Sequence, residues 1–341
     1  MGTSPTPVRA AIVGAGLMGR WHAHAIHRSG SRVVAIVDRD AARAASLASR
    51  LPGRPVIAED VGYAIRDQGI DVVHVCTPVG THESLAAAAI TGGAHVLVEK
   101  PLAGDAATVE RLHGLATEQG VLLCPVHQFL FQPGVQHASR QLAGLGPVRQ
   151  LDVVACSAGA DGAGGASDAD RESVALDILP HGLALARRLL GTPLATSSWH
   201  VDEGPAGEIR VVGHVGEASV MIAVSMRARP TENSLTVRCD RGTIRANLFH
   251  GYATIERGVP SRIEKIGRPF VGSALVLGKA AGNLLGRATR GEVAYPGLRE
   301  LVRRFHSATT GQGATPIAVD ESIDVARARD IIASARPSLP L

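Results

Sequence analysis

The chain has 341 residues, 45% hydrophobic and 19% charged, with 35 Lys and Arg against 31 Asp and Glu and a net charge of +4. That length suits two domains with ample core. No basic tract interleaved with aromatics occurs, which disfavours a nucleic-acid partner. No uncharged apolar run of about 18 residues exists, and the first seven residues hold no apolar h-region, so neither a transmembrane segment nor a signal peptide is expected. Cys76, Cys124, Cys156 and Cys239 are scattered and form no C-x-x-C pair, as in reduced thiols of a cytoplasmic protein.

Val8 to Val13 is a short apolar run, followed by Gly14-Ala15-Gly16-Leu17-Met18-Gly19 and a helical pattern through Ile26. This is the strand, glycine loop and helix of a dinucleotide site. Gly14 would allow the tight turn, Gly16 the approach of a pyrophosphate, and Gly19 close helix packing, with Leu17 and Met18 opening the helix. A second strand, Arg32 to Val37, ends at Asp38, where a carboxylate would accept hydrogen bonds from an adenosine ribose and favour NAD(H) over NADP(H). Arg39 beside it would suit a 2′-phosphate. The structural alternative for Asp38 is an N-cap for a helix from Ala41 to Leu51.

The alternation continues with a Val-rich strand from Asp71 to Cys76, the loop Thr77-Pro78-Val79-Gly80-Thr81-His82, and an alanine-rich helix. His82 reads equally well as a solvent-facing helix-start residue and as a cofactor neighbour. The strand Ala94 to Val98 ends in Glu99-Lys100-Pro101, a helix spans about 106–119, and a strand from Val121 to Val126 closes the series. Strands regularly separated by helices predict a parallel, doubly wound α/β sheet of Rossmann type over residues 1–126. Lys100 then stands at the carboxyl end of a parallel strand, where such sheets bind ligands.

Gly146 to Ala158 predicts a strand, and the Gly, Ala and Asp-rich stretch 158–170 a mobile loop or lid. In Val174 to Leu190, Asp177 and His181 are four apart and share a helical face. Pro180 is accommodated if Asp177 is the N-cap, which would put His181 in the positive field of a helix N-terminus. From Ser197 to about Ile263 the pattern becomes alternating strands with turn signals, a large, mostly antiparallel sheet in an α+β domain over 127–341. Its broad face makes a homodimer or homotetramer the expectation. Phe270 to Ala288 is amphipathic, with Lys279, Asn283 and Arg287 as a polar stripe; core or subunit packing is its default, a membrane surface the alternative. Leu298 to Thr309 and Ile323 to Ser334 read as closing helices, the latter packing back on the first domain. The 14 histidines do not cluster, and no metal-ligand spacing is present.

These ordered pieces resemble the Gfo/Idh/MocA oxidoreductase family of glucose-fructose oxidoreductase and inositol dehydrogenase relatives. The resemblance is carried by G-A-G-L-M-G, the strand ending at Asp38, T-P-V-G-T-H, G-G-A-H-V-L-V-E-K-P-L, and later D-I-L-P-H-G-L-A-L-A-R. It implies a nicotinamide cofactor held by Gly14, Gly16, Leu17, Met18, Gly19, Asp38, Arg39, Thr77, Pro78, His82, Glu99 and Lys100. It also implies that Lys100, Asp177 and His181 surround the nicotinamide and the substrate carbinol. The chain departs from the family at Val79, often Asn, and at His127-Gln128-Phe129-Leu130-Phe131-Gln132, where an Asn/Arg-bearing segment often contacts polyols; Gln128 is the polar candidate there. The expected activity is hydride transfer at a secondary alcohol or ketone of a sugar, cyclitol or related small molecule. The alternatives are reduction of an imine or unsaturated ring, as in dihydrodiol- or biliverdin-type relatives, and a cofactor-binding sensor without turnover.

Overall fold

Strands β1 (Arg9–Val13), β2 (Arg32–Val37), β3 (Val56–Ala58), β4 (Val72–Val75), β5 (His95–Val98) and β6 (Leu123–Pro125) form one sheet in the order β3-β2-β1-β4-β5-β6. Every pairing is parallel. β4 is buried along its whole length, as the Val-rich sequence of a strand covered on both faces requires. The connections are helices α1 (Leu17–Arg28), α2 (Ala41–Ala48), α3 (Val61–Gln68), α4 (His82–Thr91) and α5 (Ala106–Glu118). The computed structural model describes residues 7–157, 167–258, 262–292 and 294–335.

Aspartates start three of these helices. Asp40, Asp60 and Asp105 accept from the backbone N–H of Arg43, Tyr63 and Thr108 at 3.0, 2.9 and 2.7 Å. The N-cap of α2 is therefore Asp40, which leaves Asp38 available to the sheet edge. Edge strand β3 and helix α3 are not marked in the sequence; β3 has only three residues, two exposed and one buried, too few to carry a strand pattern.

The second unit opens with α6 (Pro133–Leu142), then β7 (Val148–Cys156), α7 (Asp168–Leu190), and β8 (Trp199–Glu203), β9 (Glu208–Val215), β10 (Ala218–Ser225), β11 (Glu232–Cys239), β12 (Gly242–Asn247) and β13 (Tyr252–Arg257). They form a seven-stranded sheet in the order β13-β12-β11-β7-β10-β9-β8. The β7–β10 pair is parallel and the rest antiparallel. Residues 158–166 of the expected loop lie outside the described residues.

Helix α8 (Arg262–Arg290) is longer than its amphipathic pattern suggested, and its orientation corrects the expectation of core packing. Asn283 Nδ2 and Arg287 Nη1 donate to the carbonyl of His250 at 2.9 and 3.3 Å, so the polar stripe meets the body of the unit. Ile266, Phe270, Leu277 and Leu285 are 69–78% exposed. The turn carbonyl needs donors, and polar side chains supply them.

Helix α9 (Leu298–Thr309) packs on α1, and α10 (Val319–Ser334) closes the described chain. Contacts divide the protein into one unit of Met1–Val126 with Leu298–Ala326 and a second of His127–Gly297 with Arg327–Leu341. Ile323 and Ala326 of α10 pack against the apolar core of the first unit. Among the described residues no helix is long and apolar enough to cross a membrane.

Candidate active site

The glycine loop, Asp38, the loop after β4 and Glu99-Lys100-Pro101 all lie at the carboxyl ends of the first sheet's strands, where β1 and β4 adjoin and the strand order reverses. The three glycines have different reasons to be glycine. Gly14 has φ +97°, and a Cβ there would lie 2.7 Å from the Cys76 carbonyl oxygen. A Cβ at Gly19 would sit 2.0 Å from the Gly14 carbonyl oxygen, so only glycine lets α1 start against the loop. A Cβ at Gly16 would meet no protein atom within 4 Å. Internal packing explains the outer two glycines and gives no reason for the middle one. Leu17, at the first position of α1, is 61% exposed.

Asp38 is tied into this loop. Its Oδ2 accepts from Ala15 N–H at 2.7 Å and its Oδ1 from Asp40 N–H at 2.9 Å. A carboxylate retains further lone pairs, so ribose hydroxyls remain possible donors to it. Arg39 is exposed and has no ion pair among the described residues.

His82 does not face solvent. It is 1% exposed, and its Nδ1 and Nε2 lie 2.8 and 2.7 Å from the carbonyl oxygens of Pro101 and Thr77. The ring thereby clamps the loop after β4 to the loop after β5. Thr81 Oγ1 donates to Thr77 Oγ1 at 2.8 Å, which steadies the Thr77-Pro78 turn. Glu99 continues β5 by donating its N–H to the Val75 carbonyl at 2.9 Å, and its Oε2 accepts from Lys100 N–H at 3.2 Å. Burial and the nearby Glu99 carboxylate raise the Cys76 thiol well above its ordinary value, so this cysteine stays a thiol.

In the second unit, Asp177 and His181 lie mid-helix, which corrects the expected N-cap. The cap of α7 is Ser167, in a reciprocal capping box with Asp170, and Pro180 is inside the 23-residue helix. The upstream box starts the helix early, and sheet packing carries it past the proline. A Cβ at Gly182 would lie 2.9 Å from Ile222 Cγ2, so glycine brings α7 down on β10. No N-terminal dipole therefore acts on His181. Its ring is 8% exposed and packs 4.6 Å from Phe129 and 6.1 Å from His127, between centroids. Gln128, in the same turn as Phe129, is 7% exposed, and its Oε1 is buried without a hydrogen-bond partner among the described residues. Gln132 Oε1 is in the same condition, although its Nε2 donates to the Leu248 carbonyl at 2.6 Å. Buried amide oxygens of this kind are costly unless a ligand completes them.

The expectation that the histidines do not cluster is overturned. His22, His74 and His306 are buried together in the first unit, with Glu99 against His22. His22 on the inner face of α1 and His74 in the fully buried β4 were the available signals; their meeting depends on the return of α9.

Residues 8–127 match the family profile described as the oxidoreductase family, NAD-binding Rossmann fold. Over these residues the chain is similar to the NAD-binding domain of the Gfo/Idh/MocA family. A segment of 146 residues is 32% identical to the UDP-N-acetylglucosamine 3-dehydrogenase of Acidithiobacillus ferrooxidans, covering 43% of this chain and 44% of that protein. A segment of 107 residues is 40% identical to inositol 2-dehydrogenase 1 of Saccharopolyspora erythraea, covering 31% and 32%. The chain thus aligns with less than half the length of these relatives. The likeness in fold extends further. The WlbA dehydrogenase from Bordetella pertussis, solved in complex with NADH and UDP-GlcNAcA, superposes with a TM-score of 0.76 over 98% of this chain and 96% of that one, at 16% identity.

Proposed function

We propose that the protein is an NAD(P)-dependent oxidoreductase that moves a hydride between nicotinamide and a secondary alcohol or ketone of a sugar, cyclitol or related small molecule. The observation that carries this reading is Gly16, a glycine without packing cause at the start of α1, beside Asp38 at the switch point of the sheet. The relatives named for UDP-N-acetylglucosamine and inositol support the substrate class. Gly14, Gly16, Leu17, Met18 and Gly19 would hold the pyrophosphate, and Asp38 the ribose, which favours NAD(H) over NADP(H).

The bound nicotinamide would supply the hydride acceptor or donor. In oxidation, His181 takes the hydroxyl proton, Asp177 orients the imidazole, and Lys100 donates a hydrogen bond to the substrate oxygen as alkoxide character develops. Gln128 offers its amide to a substrate hydroxyl. We place the enzyme in the cytoplasm and infer a homodimer or homotetramer through the open face of the seven-stranded sheet.

The test is single-turnover hydride transfer with bound NAD and myo-inositol or a UDP-sugar panel. His181→Ala and Lys100→Met each lose at least roughly a hundredfold, the scale of one acid–base or oxyanion contact; wild-type rates in both variants would overturn the assignment. The packing of Phe129 on His181 favours a second reading, reduction of a less hydroxylated imine or unsaturated ring. Product analysis across the panel separates the two.

A further inference from the structure

Five buried side chains of the first unit form an unbroken hydrogen-bonded chain. Ser31 Oγ lies 2.8 Å from His306 Nδ1, and His306 Nε2 lies 2.9 Å from His74 Nε2. His74 Nδ1 lies 2.8 Å from His22 Nδ1, and His22 Nε2 lies 3.0 Å from Glu99 Oε1. His22, His74 and His306 are 0, 0 and 4% exposed, and Ser31 and Glu99 each 7%.

One arrangement of protons satisfies every link with neutral rings. Ionised Glu99 can only accept, so His22 donates from Nε2 and must accept at Nδ1. His74 therefore donates from Nδ1 and accepts at Nε2, which makes His306 donate from Nε2 and accept at Nδ1 from the Ser31 hydroxyl. Burial holds His74 well below its ordinary pKa and lowers His306 to about 3, which keeps both rings neutral. A structural role alone requires buried polar groups to be paired. Where the two ends of the chain lie is the further observation. Ser31 lines a cavity of about 390 Å³ whose wall includes the exposed His27, Gly30, Arg32 and Pro52. Glu99 adjoins Lys100 at the carboxyl edge of the sheet.

We propose that Ser31, His306, His74, His22 and Glu99 are a proton relay between the water of that cavity and the Glu99 carboxyl beside Lys100. A proton arriving on Ser31 Oγ releases the hydroxyl proton to His306 Nδ1. His306 passes its Nε2 proton to His74 Nε2, His74 its Nδ1 proton to His22 Nδ1, and His22 its Nε2 proton to Glu99 Oε1. One proton leaves water and one arrives as the carboxylic acid of Glu99, and each ring ends neutral in its other tautomer. A proton passing outward restores the first pattern; two in succession in one direction require the rings to turn in between. The use of the relay rests on the hydride-transfer reading, which takes up or releases one proton per turnover, but its existence does not.

The experiment is imidazole ¹⁵N NMR on the intact chain without substrate, so a failure of the hydride-transfer reading leaves it unaffected. The expected tautomers are Nε2–H for His22, Nδ1–H for His74 and Nε2–H for His306. The His306 and His74 ring protons should exchange with solvent roughly tenfold or more faster than the backbone amides of β4 and α1, a difference of about 1.4 kcal/mol in barrier. Ser31→Val, which fills the hydroxyl's place with methyls, should slow ring exchange by roughly tenfold without altering amide exchange, and Ser31→Thr should restore it. Different tautomers, or wild-type ring exchange that only tracks the amides, overturns the relay even if no variant folds. Unchanged ring exchange in Ser31→Val overturns the cavity as its entrance and with it the proposal.

Discussion

His74 and His306 stand 232 positions apart in the chain, yet their Nε2 atoms lie 2.9 Å from one another in a site closed to water. Burial is the first cause of their lowered pKa values, with the neighbouring histidines adding to it, and His113 beside Ser322 is lowered by burial to about 4. In the unfolded chain these imidazoles titrate near about 6.5. Between that value and the folded ones the unfolded state binds the extra protons. Their contribution to stability is therefore complete above pH ~6.5 and is lost as pH falls. Each histidine should cost about 2 kcal/mol at pH 5 relative to pH 7. Urea unfolding at the two values checks this, and a midpoint that stays level or rises on acidification would contradict it.

Within the glycine loop, packing constrains Gly19 and leaves Gly16 facing open space. Gly19→Ala forces a Cβ onto the Gly14 carbonyl and should destabilise the first unit by about 3 kcal/mol or more. Gly16→Ala meets open space at a φ of −71°, so stability should change by no more than about 1 kcal/mol. Its NADH affinity should nevertheless fall at least roughly tenfold. Thermal unfolding and fluorescence titration read the two effects independently. Equal losses of stability in both variants would show that Gly16 is also a packing glycine.

Gln128 is set against its own stability. Replacing its amide, whose buried oxygen has no hydrogen-bond partner among the described residues, with a thioether of similar length, Gln128→Met, should stabilise the protein by about 1 kcal/mol. The same change should raise KM for a hydroxylated substrate more than it lowers kcat. A loss of stability would mean that the amide oxygen is already satisfied.

On the proposed reading, Asp38 and Arg39 would divide the cofactor preference. Asp38→Ser keeps an acceptor for the Ala15 N–H but removes the charge that repels a 2′-phosphate, leaving the exposed Arg39 to attract it. The ratio of NADPH to NADH affinity should rise by roughly tenfold or more. Parallel titrations with the two cofactors measure the ratio directly; no change would remove Asp38 from the ribose site.

Local signals made much of the first unit legible. The strand before Gly14, the helix after it, β2 ending before Asp38 and β5 ending before Glu99 all follow from short-range periodicity and glycine chemistry, which act within a few residues. The mixed second sheet was legible as alternating strands. Its parallel β7–β10 pair was not, since pairing between distant strands leaves no local mark. Asp177 and His181 are visible as a pair on one face, but the start of their helix is set by Ser167 and Asp170, beyond the few residues over which Pro180 acts. Helix α8 showed its amphipathic pattern but not which side meets the body, because periodicity gives two faces and only the His250 carbonyl chooses between them. The sequence by itself determined the alternation of strand and helix, the glycine loop and the lysine after β5. Only the tertiary structure decided that His22, His74 and His306 share one buried chain ending at Glu99, because α1, β4 and α9 meet through packing, and packing brings together residues that local propensity treats as unrelated.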